Sequence, residues 1–197
     1  MTPLAAGEEF SRPRRVHLRG VPEQYVLYVG NRQPHKNVDA LFRAFAEVSR
    51  ELPDLHLVLC GARVSTEPAR LRKLGIARRT VTLRPSDAQL PWLYHRARAF
   101  VLPSRFEGFG LPVLEAMAAG CPVAIADTPA LIEVSDGAAA VFPADDVELL
   151  AQTIRDIVGD DALAKDMRER GRRRAEDFSW RRTAQATVRA YDLAREL

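Results

Sequence analysis

Cysteine is nearly absent from the sequence. Cys60 and Cys121 are the only two in 197 residues, and both sit among apolar neighbours, in LVLCGA and AAGCPV. Their spacing does not suggest a disulfide framework and is not that of a metal site, and they read as buried thiols of a cytoplasmic protein. A long apolar run is missing as well: the longest weakly charged stretch, residues 111–126, is interrupted by Pro112, Gly120 and Pro122, which excludes a spanning helix. The opening MTPLAAGEEF has too short an apolar run for a secretory signal and acquires acids at once. Aromatic residues are sparse at 7%, and none interrupts the densest basic run, residues 168–174, so a base-stacking surface for nucleic acid is not expected.

What is present describes a globular protein. Hydrophobic residues make up 47% and charged residues 28%, a balance that excludes disorder, and 197 residues suffice for one domain with its own core. The net charge of +3 is mild and its excess is local. Arg168, Arg170, Arg172, Arg173, Arg174, Arg181 and Arg182 face only Glu169, Glu176 and Asp177 nearby. Such a run reads as a solvated helix face, or as a contact with an acidic partner domain or an anionic membrane surface.

Residues 1–20, rich in Pro, Gly and Arg, show no period and read as a linker or arm; residues 21–197 carry the domain. Short apolar runs then alternate with amphipathic segments. YVLYVG, LHLVLCG, VTLR, AFVLPS, PVAIAD and AAVFP read as six strands. Val38, Leu41, Phe42, Phe45, Val48 and Leu52 recur at helical spacing behind Asn37, a fitting N-cap. Further helices are expected over residues 67–74, from Ser86 or Asp87 with Pro91 near the start, and over residues 112–119. Three more close the chain: one carrying Val147, Leu150, Ile154 and Ile157, one after Asp160, and one from Ser179. The last presents Trp180, Ala184, Val188 and Tyr191 along one face, either packed on its own domain or left as an interface. Short strands alternating with helices specify an α/β fold: a Rossmann-like parallel sheet of about six strands, with helices on both faces.

In such sheets ligands bind beyond the carboxyl ends of the strands, where the strand order reverses. The first strand is followed by GNRQPHKN, where Gly30 permits a tight turn and Arg32 and Lys36 precede a helix N-terminus. Two cations and free N–H groups suit a phosphate or diphosphate. The fourth strand is followed by SRFEGFGLPVLE. Gly108, Phe109, Gly110 and Leu111 form the turn into a helix, and Glu107 and Glu115 stand at its two ends. Glycine there lets the backbone approach an anion, and the flanking acids can accept hydrogen bonds from hydroxyl groups beside it. Hydroxyls on both sides of a diphosphate describe a nucleotide sugar. A dinucleotide-dependent oxidoreductase is disfavoured, because Gly-Asn-Arg replaces the G-x-G-x-x-G turn after the first strand.

From about Val21 onward the chain resembles the C-terminal, donor-binding half of retaining GT-B glycosyltransferases, the group that includes bacterial mannosyl- and glucosyltransferases. YVGNRQPHKN and SRFEGFGLPVLEAMAAGCPVAIAD, with its E-x7-E spacing, carry the resemblance, with weaker echoes in TPALIEVSDGAAAVFPADD and DFSW. It implies a metal-independent hexosyltransferase domain with no cofactor other than its nucleotide-sugar substrate, GDP-mannose being favoured over UDP- or ADP-sugars. It implies that Lys36 and Arg32 hold the diphosphate and stabilise the leaving group. By the same resemblance Glu107 contacts the donor sugar, Glu115 the ribose, and the backbone from Gly108 to Leu111, with Gly30, lines the phosphates. Relatives often place the arginine directly after the glycine; here Asn31 stands there and Arg32 follows. Metal-dependent glycosyltransferases use an Asp-x-Asp motif, which does not occur in this sequence. The resemblance further implies a missing N-terminal acceptor domain or a partner chain that supplies it, with residues 1–20 as the tail of the interdomain linker. A non-catalytic nucleotide- or sugar-phosphate-binding module is the alternative.

Overall fold

The computed structural model describes residues 4–16, 18–62 and 64–195. The six apolar runs form six strands: β1 (Tyr25–Val29), β2 (His56–Cys60), β3 (Thr80–Leu83), β4 (Ala99–Leu102), β5 (Val123–Ala126) and β6 (Ala140–Phe142). All pair in parallel in the order β3-β2-β1-β4-β5-β6. Val26 sits between Leu57 on one side and Ala99 on the other, and the register continues through Phe100 opposite Val123 and Ala124 opposite Ala140. The central strands β4 and β5 are buried at every position, which is why they read as continuous apolar runs and not as alternations.

The connecting helices fall into two groups that cover the two faces of this sheet. Helix α2 (Val38–Glu51) packs against α7 (Val147–Gly159), while α5 (Leu111–Ala118) packs against α4 (Leu90–Arg96), α6 (Pro129–Ser135) and α8 (Asp161–Glu176). Asp146 accepts from the Leu149 amide and Asp160 from those of Ala162 and Leu163, so both late helices begin on carboxylate N-caps. α3 (Glu67–Lys73) follows β2 as expected. α4, by contrast, begins at Leu90. Ser86 to Gln89 form a turn, closed by the Gln89 amide on the Ser86 carbonyl and the Ser86 amide on the Gln89 side chain.

The arm is not free-standing. It contains a short helix, α1 (Glu8–Ser11), and Phe10 on it is buried edge-to-face against Tyr94 with centroids 5.8 Å apart. Residues 1–3 and His17 of the arm lie outside the described residues. The basic run also has work within the domain. Arg174 donates to the carbonyls of Val134 and Glu133 and lies over the Phe178 ring, and Arg170 donates to the Gly137 carbonyl, so both arginines satisfy the chain around the end of α6. Arg173 and Arg181 remain exposed for any acidic partner. The last helix, α9 (Trp180–Arg195), buries none of its described residues and exposes Trp180, Val188, Tyr191 and Leu193. Among the described residues, no helix is long and apolar enough to cross a membrane.

Candidate functional site

The strand order turns between β1 and β4, so the chain leaves both strands at one crevice, on loops 30–37 and 103–110. These loops are tied together. The Arg105 amide donates to the His35 carbonyl at 2.8 Å, and the Asn37 side chain donates to the Ala144 carbonyl at 2.7 Å. Asn37 therefore precedes α2 in the left-handed region, without capping it through its own side chain. A 3-10 turn, Pro34–Lys36, carries Lys36 to the crevice. Its Nζ donates to Glu107 Oε1 at 2.7 Å, closing a sequence separation of 71 residues. Both side chains remain partly open to solvent, at 17% and 12%.

Arg32, expected to hold a diphosphate, is largely buried, and its Nη2 has no partner among the described residues. Its side chain is 2% exposed and its Nε donates to Glu67 Oε2 at 2.8 Å. Nη1 donates to the Gly30 carbonyl at 2.6 Å, and the guanidinium lies 5.0 Å from the Tyr28 ring centroid. Glu67 Oε1 in turn accepts from Thr82 at 3.2 Å. The result is a buried ionic post under loop 30–37, joining it to α3 and β3. Gly61 completes the close approach: a Cβ there would lie 2.3 Å from the Gly30 carbonyl oxygen, and its φ is +119°.

The glycine turn after β4 behaves as the sequence suggests locally. Gly110 precedes α5 with φ +100°, and a Cβ on it would stand 2.6 Å from Leu131 Cδ2, so only glycine fits both the conformation and the space. Gly108 is exposed, Leu111 half-buried, and Phe109 sets its edge against Phe178 at 6.1 Å.

Glu115 lies in α5, and its Oε2 accepts from the Tyr94 hydroxyl at 2.9 Å. Burial pushes this carboxyl up to about 7; the Tyr94 hydrogen bond opposes the rise and the charge of Glu9 adds to it. A carboxyl raised above its usual 4.5 contributes stability that is complete below that value and lost as pH rises through about 7. Glu115→Gln keeps an acceptor for Tyr94 and removes the charge. It is expected to raise the Tm at pH 8 clearly and at pH 5 much less, as read by thermal unfolding at the two pH values. An equal shift at both would show that the buried charge is not the cause. A carboxylate held at a cost to stability makes Glu115 a candidate binding group.

Lys36, Glu107 and the 108–111 turn thus meet at the crevice, with Glu115 on the helix that the turn opens, while Arg32 sits beneath. Tyr94 and Glu67 escaped the sequence reading. Tyr94 lies at helical spacing in LPWLYHR and looks like core, and Glu67 looks like a first-turn acid of α3. A cation, two acids and a glycine turn can bind a negatively charged group flanked by hydroxyls.

The sequence profile of the family described as "Glycosyl transferases group 1" matches residues 10–174. The O-antigen chain mannosyltransferase B of Escherichia coli is 34% identical over 182 residues, covering 86% of this chain and 46% of that protein. The D-inositol 3-phosphate glycosyltransferase of Streptomyces avermitilis is 35% identical over 192 residues, covering 89% and 41%. The chain therefore spans less than half the length of these curated relatives. Among solved structures, sucrose-phosphate synthase from Thermosynechococcus elongatus superposes with a TM-score of 0.84 at 24% identity, over 99% of this chain and 52% of that one. The C-terminal domain of a glycosyl transferase group 1 family protein (LpcC) from Francisella tularensis gives 0.71 at 18% identity, over 89% and 94%. At these identities the structural likeness is one of fold.

Proposed function

The chain belongs to the group 1 glycosyl transferases, with a GT-B half-fold, and from that premise we propose that it is the donor-binding half of a retaining enzyme. In this reading it moves a hexose from a nucleotide sugar, and the acceptor is held by a second domain outside this chain. The observation that carries the reading is the meeting of Lys36 with Glu107 at the switch point of the sheet. Negative charge grows on the leaving diphosphate as the glycosidic bond breaks, and a preorganised cation lowers that barrier without a metal. Lys36 has three N–H donors, so it can keep Glu107 and still donate to a phosphate oxygen. Glu107 is left to accept from donor-sugar hydroxyls, Glu115 from the ribose, and the turn 108–111 to approach the phosphates. Arg32 supports the loop from beneath, through Gly30 and Glu67. Two observations favour GDP-mannose: the GNRQPHKN wording, and a relative that is itself named a mannosyltransferase.

Thermal unfolding with GDP, UDP and ADP, each with and without EDTA, tests the reading. A nucleotide at 100-fold its Kd adds about 2.7 kcal/mol, which for a chain of this size raises Tm by roughly 5–10 °C. The expected result is a shift of that order with GDP, smaller shifts with UDP and ADP, and no change on adding EDTA. No shift with any of the three in a folded sample would overturn the donor site.

A further inference from the structure

We propose that Tyr94 is a positioning residue for Glu115: its hydroxyl fixes the carboxylate through one oxygen, leaving the other for ligand hydroxyls, and helix α1 holds the Tyr94 ring in place. The inference rests on the donor-site reading for the ligand and on geometry for the rest. Tyr94 is fully buried, and its ring is gripped on two sides, edge-to-face by Phe10 at 5.8 Å and by Phe100 at 5.3 Å. A ring so held can aim its hydroxyl in only one way, and that way is Glu115 Oε2 at 2.9 Å. Burial, and then the neighbouring carboxylate, push the hydroxyl well above its ordinary value, so it stays a donor throughout the accessible pH range.

A carboxylate has about four acceptor positions, and Tyr94 takes one. A carboxylate without that bond rotates among several orientations and must be ordered again by each ligand.

The surroundings give the contact a definite pH signature. Glu9, on α1, acts on Glu115 by charge alone and raises it, whereas Tyr94, on α4, lowers it. Cys60 of β2 and Cys121 act on the Tyr94 hydroxyl through charge and raise it further. From α8, Arg168 lies near Cys121 and Arg172 over Gly120, both at the far end of α5. The His95 ring is there too, against the Ala119 carbonyl. Glu133 of α6 offers its carbonyl to Arg174, and Asp136, just past the end of that helix, its carboxylate. Two substitutions should therefore move Glu115 in opposite directions. Tyr94→Phe removes the one hydrogen bond that favours the charged form, and Glu9→Gln removes a charge that disfavours it.

Both variants are measured in the complete chain. In a carbon-13 NMR titration of the glutamate carboxyls, the Glu115 midpoint should rise in Tyr94→Phe and fall in the surface variant Glu9→Gln. At pH 7, calorimetry with GDP should show affinity weakened about tenfold in Tyr94→Phe, the scale of one hydrogen bond to a charged group. The deficit should narrow at pH 8.5, where the carboxyl is ionised in both proteins. The ligand's own phosphate titration is common to both proteins and cancels. 2′,3′-Dideoxy-GDP, which lacks the hydroxyls, should bind wild type and Tyr94→Phe alike. An unmoved Glu115 midpoint in Tyr94→Phe overturns the proposal, as does a loss equal for GDP and the dideoxy ligand. Wild-type protein that binds no nucleotide overturns the donor site instead, while the NMR midpoints still decide whether Tyr94 holds Glu115.

Discussion

On the donor-half reading, Lys36→Ala, made in a longer protein that joins this chain to the proposed acceptor domain, is expected to lower kcat about 10²–10³-fold, the usual effect of removing one preorganised charge-stabilising donor. The prediction follows from where the side chain ends. Its Nζ sits at the crevice between the loops after β1 and β4, on Glu107 Oε1 at 2.7 Å and partly open to solvent. The pair is mostly buried, at 17% and 12% exposed, so removing Lys36 should also cost stability, between the roughly 1 kcal/mol of a surface pair and the roughly 3–5 kcal/mol of a buried one. Most of the loss should appear in kcat, because charge on the diphosphate is greater in the transition state than in the bound donor. Glu107→Gln separates the partners: it leaves Lys36 its charge and should weaken use of the sugar donor while sparing GDP affinity. Steady-state transfer rates with a nucleotide-sugar donor provide the measurement. A kcat for Lys36→Ala within threefold of wild type would remove Lys36 from the reaction.

The fold was readable from the sequence because it depends on local pattern. Six buried strands left six apolar runs, and both late N-caps, Asp146 and Asp160, stand immediately before their helices. The crevice was readable for a similar reason: residues following strands in a parallel sheet converge at its carboxyl edge whatever the details. The contacts that set the roles of individual side chains were not local. Arg32 meets Glu67 from 35 positions away and Tyr94 meets Glu115 from 21. No period or spacing signals such pairs, since each depends on which helix the sheet brings alongside. Helix α6, no shorter than the expected α3, was missed because its seven residues, PALIEVS, were not read as a helical period between the two strand runs that flank it. Phe10 was missed because a single apolar residue in EEFS makes no pattern. The start of α4 was misplaced because Ser86 and Asp87 are good caps in the abstract, but a turn claims their backbone groups.

Arg32 is where the two levels differ most, and it yields the largest expected effect on stability. Glu67→Ala leaves a guanidinium that is 2% exposed without its carboxylate, and breaking a buried ion pair from one side costs about 3–5 kcal/mol. For a domain of this length that is a fall in Tm of roughly 6–20 °C. Arg32→Met leaves a carboxylate that is 1% exposed and keeps Thr82, and should cost a comparable amount, whereas the double change Arg32→Met with Glu67→Leu should recover much of the loss, because apolar replacements of a buried pair are often neutral. The double variant then decides the role of the arginine. If Arg32 is a post beneath the loop, the recovered protein should bind GDP within about threefold of wild type, since Lys36 and the 108–111 turn are untouched. If Arg32 instead meets a phosphate, through the Nη2 that has no partner among the described residues or by leaving Glu67, affinity should fall at least tenfold, the difference made by one charge-assisted hydrogen bond. The buried position argues for the first outcome. Drawing the guanidinium out would break its bonds to Glu67 and to the Gly30 carbonyl at once, and a single phosphate contact would have to offset both.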